Sequence, residues 1–464
     1  MVIQKNQIEY VDVKKPEYDD DLRPIDLSDE TMRERKEKII SAMKKHGYDA
    51  LLIYADREHG ANYGYLTGFE PRFEESVLVL HQDGKAYLLL GNESLRMNAY
   101  ARLQTEAIHV PYFSLPNQPM HDCETMDKLL ERAGIHENML IGIVGWKLFT
   151  REKNLFDVPY FIMDALKEIV KDESQIRNAT DLFISPEYGA RITMNANEIA
   201  HFEFGAALAS QSMLHMLDAI AVGKTEMELA TKLNAYGQPT SVQTICASGE
   251  RFTNAVVAPR WKSIEKGDAF ASTIGYQGGL TNRSSYVVHD ASELPSSVSD
   301  YLERVAKPYY AAASTWYSSI GIGVSGEEMY NEIEAIVPQK EFGWELNPGH
   351  FIASEEWLSS PFFPGSKVVL ASGMMLQMDI IIKIKGYGGA NAEDGIALAD
   401  EALRSELESQ YPQVWQRIQS RRTYMQEELG ITLRPEVLPL SDSEGYFRPY
   451  LLNQQKALRV IKRS

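Results

Sequence analysis

The stretch Lys266–Tyr286, KGDAFASTIGYQGGLTNRSSY, decides how the rest of the chain is interpreted. It opens with a Lys-Gly-Asp turn and continues with the small-to-apolar run Ala269–Ile274. Turn-forming residues occupy Gly275–Gly279, and a β-branched, aromatic and serine-rich run, Thr281–Val288, follows. This pattern predicts two strands joined by a tight turn. No acidic residue occurs in the stretch after Asp268, so neither predicted strand offers a carboxylate.

Length, composition and charge narrow the function classes. A chain of 464 residues has room for two or three domains, and 44% hydrophobic and 24% charged residues are typical of a globular protein. The net charge of −18 disfavours nucleic acid as a partner, because phosphate binding needs a basic surface. No apolar run is long enough for a membrane span, and no secretory signal is visible. With only Cys123 and Cys246 there is no disulfide framework, and we expect a cytoplasmic protein.

The order of helical and strand-like segments predicts four parts. Residues 1–27 form an N-terminal arm, and residues 28–188 alternate between helix and strand as in an α/β domain. A boundary near the Ser-Pro-Glu motif opens a second domain over residues 189–400. Residues 401–464 form a helical extension and a tail that carries proline and aromatic residues.

Several local patterns are strong enough to predict single elements. Asp29–His46 reads as an amphipathic helix that Ser28 or Asp29 caps. Ser76–Leu80 and Ala86–Leu90, separated by an Asp-Gly turn, predict adjacent strands. A long helix is predicted to begin at Asn197.

A series of short motifs runs along roughly residues 30–400. The motifs are, in order, Gly47-Tyr-Asp-Ala, Asn62-Tyr-Gly-Tyr-Leu-Thr-Gly-Phe, Ala247-Ser-Gly, Glu265-Lys-Gly-Asp, Thr273-Ile-Gly, Pro348-Gly-His350 and Ala392-Glu393-Asp394. Their order and spacing resemble the M24 superfamily, which contains creatinase, prolidase and the Xaa-Pro aminopeptidases. The resemblance implies an α/β (α+β) protein in which a creatinase-like N-terminal domain precedes a C-terminal domain with the pita-bread fold. It also implies a homodimer.

Peptidases of this family hold two metal ions with two aspartates, one histidine and two glutamates, and the ions activate a water and polarise the scissile carbonyl. The first aspartate position of the hairpin falls on Thr273. The second falls on Leu280 if Arg283 matches the family's hairpin arginine, or on Asn282 if the Thr-Asn pair matches. None of these residues is an acid. We therefore predict that the two-ion centre is absent.

The other three positions keep residues that can bind a metal or move a proton. His350 matches the family's histidine, and Asp379 and Glu393 fall on its two glutamates. A histidine flanked by carboxylates is a workable general base, so we interpret these three residues as the catalytic group. We expect no metal cofactor, with the binding of a single, weakly held divalent ion as the alternative. The structural alternatives are a His350–Glu393 hydrogen bond and a pair between Asp379 and Lys383.

The metal-free mechanism of creatinase does not carry over either. It uses a histidine in the loop after Ala-Ser-Gly, and the matching loop Glu250–Ile264 contains none; by length, Val256 occupies that position. The family's second histidine, shortly after the Gly-His motif, is replaced by Trp357. Cys246 is interpreted as a buried strand residue and not a nucleophile, because no histidine is near it in sequence.

Further polar and aromatic residues are expected to line the cleft. Arg72 and Phe73 lie where family members reach a loop into the neighbouring subunit's cleft, and an arginine there would suit an anionic substrate; a surface arginine is the alternative. Glu356 lies in the predicted lining without an assigned role. The predicted substrate-binding residues are Arg72, Phe73, Arg251, Thr273, Asn282, Arg283 and Glu355.

Two functions follow from these expectations. The first is an M24-type hydrolase that acts on a small C–N bonded substrate, either a small molecule or a dipeptide, without a two-ion centre. The second is a non-catalytic protein that binds a small molecule, a peptide or a protein, as the loss of both hairpin aspartates and of the loop histidine would allow. An active Xaa-Pro aminopeptidase with two metal ions is the least compatible with the residues.

Overall fold

The computed structural model describes residues 2–19, 21–118, 123–152, 154–254, 257–356 and 358–461. Val256 and Trp357 lie outside the described residues. The strands are β1 (Ile8–Asp12), β2 (Ala50–Ala55), β3 (Ser76–His81), β4 (Ala86–Leu90), β5 (Glu106–His109), β6 (Ile141–Val144), β7 (Ile176–Asn178), β8 (Ile245–Ser248), β9 (Ala269–Tyr276), β10 (Gly279–Tyr286), β11 (His350–Phe351), β12 (Met375–Met378), β13 (Asn391–Leu398), β14 (Val437–Pro439) and β15 (Lys456–Val460).

Helices and strands follow one another in groups along the chain. The first helix has the predicted bounds: the Ser28 side chain accepts a hydrogen bond from the Thr31 amide, and Gly47 ends the helix in the left-handed conformation. The α-helices are α1 (Asp29–His46), α2 (Ala61–Thr67), α3 (Met126–Arg132), α4 (Tyr160–Val170), α5 (Asp181–Ile184), α6 (Ala196–Ala219), α7 (Glu226–Ala230), α8 (Lys307–Ser319), α9 (Gly326–Ile336), α10 (Gln339–Phe342), α11 (Glu401–Gln410) and α12 (Pro412–Glu427).

The chain forms two compact units. One is Leu27–Ile192, and the other combines Met1–Asp26 with Thr193–Ser464. Residues 1–26 of the predicted arm and the predicted extension (401–464) lie in the same unit as residues 193–400. The physical reason is strand pairing, because β1 and β15 form an antiparallel pair in which Ile8 lies opposite Val460.

The unit Leu27–Ile192 is built on a sheet with the strand order β5-β4-β3-β2-β6-β7. Strands β3 and β4 form the predicted hairpin, with Ser76 opposite Leu90, while β2 and β6 run parallel. Apolar residues of the central strands and of α3 and α4 are buried in one core, as expected for an α/β domain.

The second unit contains a sheet with the order β11-β12-β13-β10-β9-β8, and β14 pairs with β13. The stretch that opened the sequence analysis forms β9 and β10, with Tyr276 opposite Gly279 across the turn. Helix α6 packs very closely on this turn. A Cβ on Gly205 would lie 1.8 Å from the Gln277 carbonyl oxygen, and a Cβ on Gly279 would lie 2.6 Å from the Cβ of Ala206. Glycine at both contacts lets the helix hold the hairpin in place. In the described part of the chain, no helix is both long and apolar enough to cross a bilayer.

Candidate functional site

The candidate site follows from the pairing of five neighbouring strands. Thr273 on β9 lies opposite Asn282 on β10, and Asn282 lies opposite Glu393 on β13. On the far side of β13 the sheet continues to Gln377 of β12, which lies opposite His350 of β11. Directly opposed residues, and residues two apart on one strand, share a face of the sheet. The register therefore brings one row of polar side chains to one face.

The hairpin contributes a hydroxyl and an amide to this row. The Asn282 Nδ2 donates a hydrogen bond to Thr273 Oγ1 at 2.8 Å. Of the two positions that the sequence left open, Asn282 is the one in the row between Thr273 and Glu393. Leu280 lies two residues further along β10, opposite Gly275.

His350, Asp379 and Glu393 converge at the other end of the row. One ligand atom from each lies within 4.8 Å of the others, and His350 Nε2 is 3.9 Å from Asp379 Oδ2. His350 Nδ1 lies 3.0 Å from the Phe351 carbonyl oxygen. Because a carbonyl can only accept, this contact places a proton on Nδ1 and directs Nε2 toward the carboxylates.

The alternative partner of Asp379 is engaged elsewhere. The Lys383 ammonium lies 4.0 Å from Glu345, and the Lys383 side chain is 77% exposed. The alternative of an Asp379–Lys383 pair is therefore wrong, because Asp379 lies 3.9 Å from His350 and Lys383 is directed to Glu345.

Burial sets the protonation of the carboxyl groups. Asp379 and Glu393 are 7% and 6% exposed, and burial is the main cause that raises the pKa of each. The His350 charge partly offsets this effect for the pKa of Asp379, whereas the charge of Asp379 raises the pKa of Glu393 further. Burial, with the charges of Glu355 and Asp379, raises the pKa of Glu356 to about 8. Buried carboxyl groups in such proximity share protons and can serve as acid or base.

Sequence reasoning gave no role to two residues of this site. Gln377 is fully buried, and its amide nitrogen donates to the Leu280 carbonyl at 2.7 Å. The signal that could have found it is a single amide in the otherwise apolar strand MLQM. Glu356 was placed in the lining, but its burial could not be read from the Glu-Glu pair in which it stands.

Two of the three predicted substrate-binding arginines form ion pairs with acids outside the row. Arg283 Nη2 donates to Asp394 Oδ2 at 2.6 Å and to the Ser443 carbonyl at 2.6 Å. Arg283 follows Asn282 directly, so its side chain projects to the opposite face of β10, which favours a structural role. Arg251 Nε lies 3.1 Å from Glu226 Oε2.

The other predicted substrate-binding residues lie outside the row. Ser354 Oγ donates to Glu355 Oε2 at 3.2 Å. Arg72 and Phe73 belong to the unit Leu27–Ile192, where an Arg72 Nη2 lies 3.4 Å from Glu70 Oε2 and Phe73 is 87% exposed. Their part in substrate binding stays a prediction.

Cys246 has the environment of a structural cysteine. It lies on β8 with 0% exposure, and burial raises the pKa of its thiol to about 12. Its Sγ lies 3.5 Å from the Glu226 carbonyl oxygen. A thiol in this state is not a nucleophile at neutral pH.

We predict that Cys246 in the native protein reacts with a disulfide reagent such as DTNB roughly 10²-fold or more slowly than after denaturation, because it is buried and protonated. The partly exposed Cys123 is expected to account for the rapid phase. Stopped-flow thiol counting at pH 8 measures both rates. In the Cys123→Ser variant the rapid phase should disappear, and a rapid native reaction in that variant would contradict the buried state of Cys246.

The donor set can be compared with what metal ions require. One divalent ion could be held by the imidazole of His350 and the carboxylates of Asp379 and Glu393, and water would complete its coordination shell. A two-ion centre also needs bridging carboxylates, and the hairpin offers the Thr273 hydroxyl and the Asn282 amide instead. The described residues do not fit a two-ion centre.

Comparison with known proteins identifies the family. Residues 201–400 match metallopeptidase family M24, and residues 35–181 match the creatinase/prolidase N-terminal domain. The chain therefore contains an M24 domain preceded by a creatinase/prolidase N-terminal domain. This confirms the resemblance read from the motifs, and it confirms the expected combination of a creatinase-like domain with an M24 domain.

Relatives of this M24 protein match most of its length at low identity. An Xaa-Pro dipeptidase from Pyrococcus horikoshii is 24% identical over 388 residues, which cover 79% of this chain and 95% of the relative. The structure of an Xaa-Pro dipeptidase from Bacillus anthracis matches with a TM-score of 0.60 at 21% identity, covering 80% of this chain and 96% of that one. A prolidase from Thermococcus sibiricus gives a TM-score of 0.61 at 20% identity, with 80% and 95% covered. At this identity the structural likeness establishes the fold.

Proposed function

We propose that this M24-family protein is a hydrolase for a small C–N bonded substrate, a small molecule or a dipeptide, that works without a two-ion centre. One observation carries the proposal. His350, Asp379 and Glu393 bring their functional atoms within 4.8 Å of one another in a row whose hairpin positions hold no acid. Proton transfer is the chemistry that these three side chains support by themselves.

In the proposed reaction His350 is the general base. Its Nδ1 proton is held by the Phe351 carbonyl, so Nε2 takes a proton from a water that attacks the carbon of the C–N bond. Glu393, whose burial favours the protonated form, gives a proton to the leaving nitrogen as the C–N bond breaks. Transfer of the proton from His350 back to Glu393 restores both groups. Asp379 orients the imidazole and stabilises its charged form.

The test compares His350→Ala with His289→Ala on a panel of dipeptides, including Xaa-Pro, and other small amides. His289 is a matched control, since it is 60% exposed and contacts Glu293. We expect His350→Ala to lower turnover roughly 10²–10⁴-fold and His289→Ala to leave it unchanged. Chelation with EDTA should have no effect. Two equivalents of manganese, cobalt or zinc in the purified protein, with turnover that EDTA abolishes, would contradict the proposal.

A non-catalytic role is the second candidate. It is favoured by the hydrogen bond between Asn282 and Thr273, since these two hairpin side chains satisfy each other. Binding of compounds from the panel without turnover of any of them would decide for this candidate.

We also propose a homodimer in the cytoplasm, in which Arg72 and Phe73 reach the neighbouring subunit's cleft. The 87% exposure of Phe73 supports its role in a dimer contact. The free thiols of Cys123 and Cys246 support the cytoplasmic location. Sedimentation velocity should show a dimer that Phe73→Ala weakens, and a monomer at all concentrations would contradict it.

A further inference from the structure

The segment 437–451, which is buried throughout, contains a carboxyl group that no cation balances. This group belongs to Glu444, which is 1% exposed. Its Oε2 accepts a hydrogen bond from the Ser441 amide at 3.3 Å, and its buried Oε1 accepts none from the described residues. Within the same part of the chain, no lysine, arginine or histidine nitrogen lies within 4.0 Å of the carboxyl group. An ionised carboxylate at such a place is costly.

Three close ion pairs are connected to this segment, each with 2.6 Å between nitrogen and oxygen. The pairs are Arg283–Asp394, Arg421–Asp442 and Arg417–Glu203. They use one arginine for each carboxylate, so three positive charges are balanced by three negative ones. Glu444 is the fourth carboxyl group of this network. The network is electrically balanced only if one of its four carboxyl groups carries a proton.

The groups that face Glu444 come from three elements. Helix α8 contributes the Tyr317 hydroxyl, which is buried and lacks a hydrogen-bond partner among the described residues. Strand β13 contributes Asp394, and helix α12 contributes Arg421. Burial is the main cause that raises the pKa of Glu444 well above its ordinary value, and the Asp394 charge raises this pKa further. The Ser441 amide, the Tyr317 hydroxyl and the Arg421 charge offset only a part of the rise.

Asp394 and Asp442 are less suited to hold the proton. Each has an arginine nitrogen at 2.6 Å. Asp394 also accepts a hydrogen bond from the Ser443 hydroxyl at 3.1 Å, and Asp442 accepts one from the Gln211 amide at 2.9 Å. For both groups the neighbouring arginine charge counteracts the rise in pKa that burial causes. Donors to a carboxylate favour its ionised form, so the proton belongs on Glu444.

We propose that Glu444 is protonated in the folded protein at neutral pH, and that loss of this proton loosens the attachment of the segment 437–451. Ionised Glu444 would add an uncompensated charge beside Asp394. The same segment supplies the Ser443 and Tyr446 carbonyl oxygens to which Arg283 donates, so these contacts would be the first to open. This pH-sensitive attachment does not depend on the proposed hydrolase activity.

The proton makes stability depend on pH in a defined direction. In the unfolded chain Glu444 loses its proton at the ordinary pKa of a glutamate, whereas in the fold its pKa is raised. Between these limits the folded state binds one proton more than the unfolded state. The contribution of Glu444 to stability is therefore fully present at low pH and is lost as the pH rises. Each pH unit in this range should shift the folding equilibrium by up to about tenfold toward the unfolded chain.

Urea unfolding of the wild type and of Glu444→Gln, at several values between about pH 6 and about pH 8, tests the proposal. Glutamine has the shape of a protonated glutamate and cannot ionise. We expect the ratio of the unfolding constants, wild type over variant, to rise with pH by up to about tenfold per unit, since the other groups cancel. The matched control is Glu408→Gln, an exposed position of α11, for which the ratio should not change with pH. A constant ratio for Glu444→Gln overturns the proposal.

Hydrogen exchange locates the loosening. As the pH rises, peptides from residues 437–451 should exchange faster in the wild type than in Glu444→Gln, whereas peptides from Leu27–Ile192 should exchange alike in both proteins. If Glu444→Gln does not fold, Glu444→Met takes its place, because any uncharged side chain removes the titration. Equal exchange of the segment in wild type and variant, or failure of both variants to fold, overturns the proposal.

Discussion

Replacing Arg283 with methionine is expected to lower the free energy of unfolding by about 3–5 kcal/mol. The Arg283 guanidinium is 3% exposed and Asp394 is fully buried, with 2.6 Å between Nη2 and Oδ2. Arg283 Nε also donates to the Tyr446 carbonyl at 3.1 Å, and Nη2 to the Ser443 carbonyl. The substitution leaves a buried carboxylate uncompensated and removes donors from two backbone carbonyls, so its effect exceeds that of an ordinary core substitution.

Urea unfolding followed by circular dichroism measures this loss. The control is Arg23→Met, because Arg23 is 75% exposed and pairs with Asp21, and its effect on the free energy of unfolding should lie within the error of the measurement. The double variant Arg283→Met/Asp394→Leu should recover part of the stability, since both charges are removed together. A loss below about 1 kcal/mol for Arg283→Met would show that the pair does not stabilise the fold.

Replacing Glu203 with alanine should destabilise the second unit by a similar amount, about 3–5 kcal/mol. Glu203 on α6 has a fully buried side chain and accepts hydrogen bonds from Arg417 Nε and Nη2 at 2.9 and 2.6 Å. Arg421 Nη1 lies 2.7 Å from the same carboxylate. Without Glu203, two arginines of α12 face each other with Asp442 as the remaining buried acid, at 2.6 Å from Arg421.

The readout for Glu203→Ala is the thermal unfolding midpoint together with proteolysis of residues 401–461. We expect α11 and α12 to become sensitive to trypsin before the rest of the chain, because the network attaches α12 to α6. Glu427→Ala is the control, since Glu427 is an exposed residue of α12. Equal midpoints for the two variants would contradict a stabilising role of the network.

Local sequence patterns were sufficient for much of the fold. The cap and the left-handed glycine bracket α1, and the alternation of apolar and turn residues gave the β3–β4 and β9–β10 hairpins. Pairing between segments that are distant in sequence could not be predicted from local patterns, as the β1–β15 pair shows. Neither segment has a distinctive pattern by itself, and their partnership depends on the completed fold.

The site was predictable at positions that match a motif, and less so where burial or strand face decides. His350, Asp379 and Glu393 came from the motifs, and the structure brings them together. The sequence predicts that Arg283 faces the substrate. The face of β10 on which a side chain lies depends on the strand register, and the register depends on the length of the glycine-rich turn. That length could not be determined from the sequence. Gln377 has no motif, and only the cross-strand partner His350 reveals its place.

The pairing of β1 with β15 has a consequence for the order in which the protein can fold on the ribosome. The unit Leu27–Ile192 is contiguous, so its sheet can assemble while later residues are still being translated. Ile8, by contrast, finds its partner Val460 only when translation has passed that residue. Closing so long a loop costs conformational entropy that no local contact offsets earlier. During synthesis the β1 segment therefore remains without its strand partner until β15 has been translated.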